Sequence, residues 1–204
     1  MLFLVVLAVF GVQTADARID PQYLPCAVHN GSDYVYSRTA ANCLNVMSDS
    51  YCEIAYPKPT PDESRPAEGN DAQRSLMCYT LGDATPAPAN ADAESVAVAS
   101  CPKTCGLCCL TSAYKCNNRV APRVNCANVS KAMCLSPIWR QILAEDCPAE
   151  CGFCDLNGCI DLVVGCENDP MICYTAGLED FVNTNCRRTC NKCNVQPPCP
   201  GGGR

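Results

Sequence analysis

The residues in this sequence with the clearest capacity for chemistry are three pairs of closely spaced cysteines. They occur in the runs CGLC at 105–108, CGFC at 151–154 and CNKC at 190–193. Such a pair can form a redox couple when a helix N-terminus within a βαβ unit lowers the thiolate pKa, or it can bind zinc. No βαβ pattern surrounds these runs, and only one histidine is present to assist a zinc site. We therefore expect neither a redox centre nor a metal site.

That histidine, His29, is the residue that any Ser-His or Cys-His nucleophilic system would have to use. It lies in a polar segment beside Asn30-Gly31-Ser32. A solvated position is typical of such a segment, so we expect His29 to lie on the surface. The sequence thus predicts no catalytic residue and no cofactor, and we expect the protein not to be an enzyme.

The cysteine pairs belong to a repeat. The motif C-x3-C-x2-C occurs at 101–108, 147–154 and 186–193, and three further cysteines precede each copy. A six-cysteine unit repeated in this way predicts tandem modules. The predicted parts are, in order, a signal peptide (1–17), an N-terminal segment (18–42), module one (43–108), module two (116–154), module three (159–193) and a flexible Pro/Gly tail (194–204).

Module one is longer than the others because of two insertions. Residues 57–70 are rich in proline, and residues 82–100 are rich in alanine, proline and aspartate. Because such compositions bury little apolar surface, we expect long disordered inserts here. The similarity of Met77-Cys78-Tyr79-Thr80 to Ile172-Cys173-Tyr174-Thr175 supports the register. The alternative is that Cys43 and Cys52 belong to a separate N-terminal element.

The 21 cysteines in 204 residues indicate a small disulfide-rich fold in an oxidising compartment. An apolar run at 2–12 followed by Ala15-Asp16-Ala17 predicts a signal peptide cleaved after Ala17, although no basic residue precedes the run. We therefore expect a secreted, extracellular protein with no membrane span after cleavage. The formal charge of −6 argues against binding to nucleic acid.

Secondary structure is expected to consist of short helices with little or no sheet. Ser136-Pro137 resembles an N-cap followed by proline at the first helical position, with apolar residues at helical spacing through Asp146. Leu178, Phe181 and Val182 repeat that spacing in module three. Asp71 is predicted to cap an equivalent turn before Cys78. Helices this short need crosslinks to be stable.

The six-cysteine pattern with its TCG-x-C ending resembles the ShK toxin-like domain family (ShKT or SXC), which is abundant in secreted nematode proteins. Cys159-Ile160-Asp161 matches a Cys-Ile-Asp near the start of the sea anemone toxin that gave the family its name. By this resemblance Asp161 pairs with a basic residue, Arg188, whereas Asn45 and Asn118 replace the aspartate and should lack the ion pair. Gly106, Gly152 and Asn191 follow the fifth cysteine of each module, where a positive φ is expected.

The resemblance also implies a disulfide pairing of first to sixth, second to fourth and third to fifth cysteine. Carried over, the implied bonds are Cys43–Cys108, Cys52–Cys101, Cys78–Cys105, Cys116–Cys154, Cys126–Cys147, Cys134–Cys151, Cys159–Cys193, Cys166–Cys186 and Cys173–Cys190. Three cysteines remain, so at least one is free or bonded to another molecule. Cys26 and Cys109 flank module one and are candidates for pairing with each other. Cys199 is the best candidate for the odd thiol, and a disulfide-linked dimer through it competes with capping by a small thiol or pairing with Cys26 or Cys109.

The candidate binding residues are few. Trp139 and Arg140 form an aromatic-cation pair, and Trp139 is either a binding anchor or packs against a disulfide. The toxin's channel-blocking Lys-Tyr pair is not reproduced, since the corresponding residues are Trp139-Arg140 and Leu178-Glu179. Asn30 and Asn128 lie in glycosylation triplets.

These features predict a non-enzymatic extracellular binding module whose partner is a protein or glycan. A structural matrix or cuticle component is the first alternative, favoured by the tail thiol. A toxin-like modulator of ion channels is the second.

Overall fold

The chain is a small disulfide-rich, multi-module protein. A computed structural model describes residues 18–82 and 88–193. In these ranges the α-helices are α1 (Asp49–Ala55), α2 (Ala91–Ser100), α3 (Lys131–Leu135), α4 (Pro137–Asp146), α5 (Pro148–Cys151) and α6 (Glu179–Asn185). Strands β1 (Ala27–His29) and β2 (Tyr34–Tyr36) form an antiparallel pair in which Val28 lies opposite Val35. Short 3₁₀ helices lie at Leu76–Cys78, Cys108–Leu110, Ser112–Tyr114, Cys126–Asn128, Cys154–Leu156, Cys166–Asn168 and Pro170–Tyr174.

Ten disulfides crosslink the described residues. Nine have the pairing that the resemblance implies, namely Cys43–Cys108, Cys52–Cys101, Cys78–Cys105, Cys116–Cys154, Cys126–Cys147, Cys134–Cys151, Cys159–Cys193, Cys166–Cys186 and Cys173–Cys190. The tenth is Cys26–Cys109, which attaches the N-terminal segment to the end of module one. Cys199 lies outside the described residues.

Each module contains the same helix-to-disulfide contact. Helices α2, α4 and α6 end directly before the fourth cysteine of their module, and the N–H of that cysteine donates to the carbonyl four residues earlier. The side chain at that earlier position is buried. The three donor and acceptor pairs are Cys101 and Ala97, Cys147 and Leu143, and Cys186 and Val182. Each helix therefore packs a buried residue of its last turn beside the disulfide that holds it.

The apolar clusters are small and contain many cysteines. Around the buried disulfides of module one lie Tyr56, Tyr79 and Leu107 of the module itself and Tyr23 of the N-terminal segment. In module two, Leu143, Val129 and Phe153 pack around the sulfur atoms. Ile160, from the start of module three, is 2% exposed and joins the module-two cluster. Modules two and three consequently share packing at their boundary.

Arg74 joins the N-terminal segment to module one. Its side chain is 4% exposed, and its guanidinium carbon lies 5.0 Å from the Tyr23 ring centroid and 5.2 Å from that of Tyr36. The guanidinium donates to the carbonyls of Pro25, Cys105 and Gly106. A buried cation is costly unless its donors are used, and here three carbonyls and two aromatic rings accept it.

Arg38 joins the same N-terminal segment to module two. Its guanidinium donates to the carbonyls of Ala127, at 2.6 Å, and of Val129. The Tyr114 hydroxyl, from the segment between modules one and two, donates to the carbonyl of Asn42. The N-terminal segment is thus packed against both of the first two modules.

The expectation of long disordered inserts in module one is wrong for the described part of both inserts. Residues 91–100 form helix α2, because Asn90 accepts the N–H groups of Asp92 and Ala93 and because Ala93 and Ala97 are buried. In the first insert, Pro66 is buried and the Arg65 guanidinium donates to the carbonyl of Tyr56. Backbone and apolar contacts with the rest of module one therefore order both segments despite their composition.

Two helix predictions have different outcomes. Ser136 is the N-cap residue of α4 with Pro137 at its start, as predicted, although the Ser136 side chain makes no capping hydrogen bond. The prediction that Asp71 caps a turn is wrong. The nearest helical turn begins at Leu76 with Ser75 as its N-cap residue, and residues 71–75 have no helical structure.

The expected left-handed backbone after each fifth cysteine is confirmed. The φ angles of Gly106, Gly152 and Asn191 are 62°, 69° and 55°. At Gly152 a second constraint applies, because an added Cβ would lie 2.7 Å from a ring carbon of Tyr114. Glycine is required there by both backbone conformation and close packing.

We predict that Gly152→Ala destabilises the protein more than Gly158→Ala. Both glycines have positive φ, but an added Cβ at Gly158 meets nothing within 4 Å. Gly158→Ala should therefore cost only the left-handed penalty of about 1–2 kcal/mol. Gly152→Ala should cost more because the Tyr114 ring must move. Denaturant unfolding of the two variants measures the difference, and equal losses would show that the Tyr114 contact is unimportant.

Candidate functional site

The residue two positions after the first cysteine of each module holds the C-x3-C turn. Asn45 accepts the N–H of Thr104, and Asn118 accepts that of Ala149. Asp161 accepts the N–H groups of Arg188 and Thr189, at 2.8 and 3.1 Å. Asparagine and aspartate can both accept from a backbone N–H. Hence modules one and two keep this contact without an aspartate.

The ion pair that the resemblance implies between Asp161 and Arg188 is not the contact observed. Both carboxylate oxygens of Asp161 are engaged, because the Thr189 hydroxyl also donates to Oδ2 at 2.7 Å. The hydrogen bond to Arg188 comes from its backbone, and no ion pair joins the two side chains in the described residues. The contact that all three modules share is therefore a side-chain oxygen that accepts a backbone N–H of the C-x3-C turn.

Asp146 and two arginines, Arg119 and Arg123, hold the loop at 119–123 of module two against the end of α4. The Asp146 side chain is fully buried at the end of α4. Its Oδ2 accepts from the backbone N–H and from Nε of Arg123, both at 2.7 Å, and its Oδ1 accepts from Nη1 of Arg119 at 3.2 Å. These hydrogen bonds, chiefly that from the Arg123 side chain, hold the pKa of Asp146 well below its usual range.

This pKa shift predicts acid sensitivity in module two. Because the folded-state pKa of Asp146 lies below the unfolded value of about 3.9, the stabilisation is complete above the unfolded value and is lost progressively as pH falls from it through the folded-state pKa. The melting temperature of the oxidised chain should therefore fall as the pH is lowered from about pH 5 to pH 2. Asp146→Asn should lower stability at neutral pH and flatten this dependence.

Asp169→Asn, at an exposed loop position, is the matched control and should preserve the pH profile. An unchanged profile in Asp146→Asn would mean that other carboxylates cause the acid response.

Trp139 and Arg140 are neighbours in α4 but have different surroundings. Trp139 is 37% exposed at the surface. The Arg140 guanidinium is half-buried, lies 5.0 Å from the Phe153 ring centroid, and donates at 2.8 Å each to the carbonyls of Asp161 and Cys134. Arg140 is consequently committed in large part to joining modules two and three, so the pair does not form one exposed aromatic-cation epitope.

Module one carries several large exposed apolar side chains around a groove. A groove of about 310 Å³ runs between α1, α2 and the segment after the Leu76–Cys78 turn. Met77, Leu81 and Val96 line it and are 44%, 75% and 61% exposed. Ile54, on α1, is 82% exposed. Sequence analysis missed this surface because the helix that forms one wall lies in a predicted insert.

The remaining predicted residues lie on the surface. His29 is exposed at the end of β1, where its Nδ1 accepts the N–H of Gly31. Asn30 and Asn128 are both exposed, so their amides are reachable, and their glycosylation stays a prediction. The signal peptide at 1–17 and the tail at 194–204 lie outside the described residues.

The cysteine pairs that suggested redox or zinc chemistry are all engaged in disulfides. Every cysteine within 18–82 and 88–193 has a cystine partner, so none offers a thiolate there. In the same ranges no group of three or more His, Cys, Asp and Glu residues could hold a metal ion. Nor does this part of the chain contain a helix of sufficient length and apolarity to cross a membrane.

Comparison with known proteins places the modules in a family. A family model described as ShK domain-like matches residues 91–108, 115–154 and 158–193. No curated protein and no solved structure matches the chain. The first match covers only the end of module one and begins within its second insertion, at the start of α2. The three matches coincide with the three C-x3-C-x2-C endings and their disulfides, and the chain is a multi-module member of the ShK toxin-like family of cysteine-rich domains.

Proposed function

We propose that this protein is a secreted, non-enzymatic binding protein whose modules present rigid surfaces to an extracellular protein. Its ShK-like domains are cysteine-rich modules of an extracellular type. The observation that carries the proposal is the apolar groove of module one, where Leu81 and Val96 are largely exposed on a backbone fixed by disulfides. Contiguous exposed apolar surface is typical of protein interaction sites. A groove of this composition favours a protein partner over a glycan.

The groove can be tested by substituting its exposed residues. The variant Met77→Ser/Leu81→Ser/Val96→Ser should fold, since all three groove-lining side chains are exposed, and should lose capture of a specific extracellular protein by the oxidised chain. Val120→Ser is the matched control, because Val120 is fully exposed in module two. Equal capture by the triple variant and the parent chain would contradict the assignment.

A structural matrix component is the second candidate, favoured by the odd number of cysteines. Twenty of the 21 cysteines are paired within the described residues, which leaves Cys199. We propose that a disulfide through Cys199 can link two chains. Non-reducing electrophoresis of secreted material distinguishes the candidates: dimers or larger species that Cys199→Ser abolishes support crosslinking, whereas monomers support the soluble binding protein.

Channel modulation has less support. The sea anemone toxin that gave the family its name blocks channels with a lysine beside a tyrosine. The corresponding cation here, Arg140, is held by the carbonyls of Asp161 and Cys134. We expect no block of voltage-gated potassium channels by the oxidised chain at micromolar concentration.

A further inference from the structure

A polar cleft lies where module two meets module three. Its volume is about 420 Å³, within the range of sites that hold small ligands or short peptide ends. Module two contributes Arg140 from α4, and the segment that follows module two contributes Leu156. Module three contributes Asp161 and Val164 from its first loop, Glu167, and Arg188 and Thr189 from its C-x3-C turn. The cleft therefore exists only when the two modules are packed together.

The two acidic residues of the cleft differ in their availability. The Asp161 carboxylate is 8% exposed and already accepts three hydrogen bonds, from the backbone of Arg188 and from the backbone and hydroxyl of Thr189. These donors offset its charge and fix its position. Glu167 is exposed and accepts only the N–H of Gly165 among the described residues, at 3.2 Å. Thus Glu167 retains free acceptor capacity.

The two arginines supply the unsatisfied donors. The Arg188 side chain is exposed and has no hydrogen bond or ion pair with any residue in 18–82 or 88–193. Arg140 uses Nε and Nη1 for the Asp161 and Cys134 carbonyls, and these bonds hold its guanidinium in place. A positioned guanidinium beside an unpaired one suits a carboxylate, which guanidinium groups bind through parallel N–H donors.

The apolar residues that line the cleft indicate which class of ligand it can bind. Leu156 and Val164 flank the charged residues, and Val164 is 51% exposed. An aliphatic wall next to arginine donors favours a carboxylate that is close to an aliphatic side chain. A sugar acid carries the carboxylate without the aliphatic group. The C-terminal residue of a peptide carries both, and its amide N–H can donate to Glu167.

We propose that this cleft binds the C-terminal carboxylate of a peptide whose last residue is aliphatic. Arg188 and Arg140 hold the carboxylate, Leu156 and Val164 contact the side chain, and Glu167 accepts the backbone N–H. The site is distinct from the apolar groove of module one. Failure of the peptide-binding proposal would therefore leave the groove proposal unaffected, and the reverse also holds.

Fluorescence anisotropy of the oxidised full chain with a fluorescein-labelled Gly-Gly-Leu-Val peptide tests the proposal. We expect saturable binding that weakens about tenfold when the peptide ends in an amide or when the protein carries Arg188→Gln, as for a lost charge-assisted contact. Lys131→Gln removes an equal charge from exposed α3 and should bind as the parent chain does. Val164→Asp, also at an exposed position, should abolish binding.

Several results would overturn the proposal. They are no saturable binding of the peptide, equal binding of acid and amide peptides, and equal weakening by Lys131→Gln and Arg188→Gln. Binding of an oligouronate in place of the peptide would likewise reject the peptide assignment. For each variant, intact disulfides and a circular dichroism spectrum equal to that of the parent chain establish that the loss of binding is a local effect.

Discussion

Removing the Cys126–Cys147 disulfide is expected to unfold module two. Cys147 is fully buried and Cys126 is 9% exposed, and the bond closes a loop with a sequence separation of 21 residues that contains all of α3 and α4. The double variant Cys126→Ala/Cys147→Ala should lose about 2–5 kcal/mol of stability. Helices of five and ten residues have little stability in isolation. Hydrogen exchange should therefore show loss of protection throughout both.

The comparison variant removes the disulfide outside the modules. Cys26→Ala/Cys109→Ala should release the N-terminal segment from module one while the helices of module three stay protected. Since both variants remove two cysteines, neither introduces a free thiol. Protection of α4 that survives the loss of Cys126–Cys147 would show that packing alone stabilises module two.

Leu143→Ala is expected to have the second large effect. Leu143 is fully buried against the disulfides of module two and is its largest aliphatic side chain with no exposed surface. Truncating a buried leucine costs about 2–5 kcal/mol, and the few apolar neighbours here leave little freedom to refill the cavity. Denaturant unfolding of the oxidised protein measures the loss.

Leu135→Ala provides the same chemical change at a position that is 48% exposed in α3. We expect a change there of less than about 0.5 kcal/mol. A loss at Leu143 no larger than that at Leu135 would mean that the apolar cluster contributes nothing beyond the crosslinks.

Much of this fold was predictable because the cysteine spacing is highly specific. The positive φ of Gly152 and the place of Pro137 at the start of α4 are local features that neighbours in sequence indicate. Composition alone mispredicts helix α2, because composition does not register the local signals that favour a helix. Asn90 is an N-cap residue, and alanine has the best helix propensity, so a helix at 91–100 was already favoured.

Contacts between distant residues could not be predicted from the sequence. Arg74 donates to Pro25 and Cys105, 49 and 31 residues away, and no spacing rule distinguishes it from a surface arginine. Asp146 likewise resembles any helix-terminal carboxylate until Arg123 is folded against it. The cleft between modules two and three depends on such contacts, which explains why Arg188 was assigned to an ion pair and not to a binding surface.

Gentle reduction is the most direct test of whether disulfides hold these modules together. Far-UV circular dichroism should be recorded on the oxidised chain and again after complete reduction in native buffer, with alkylation to count the thiols. We predict that the helical signal is lost once the ten disulfides are cleaved. A fully alkylated chain that retains its helices would contradict this account.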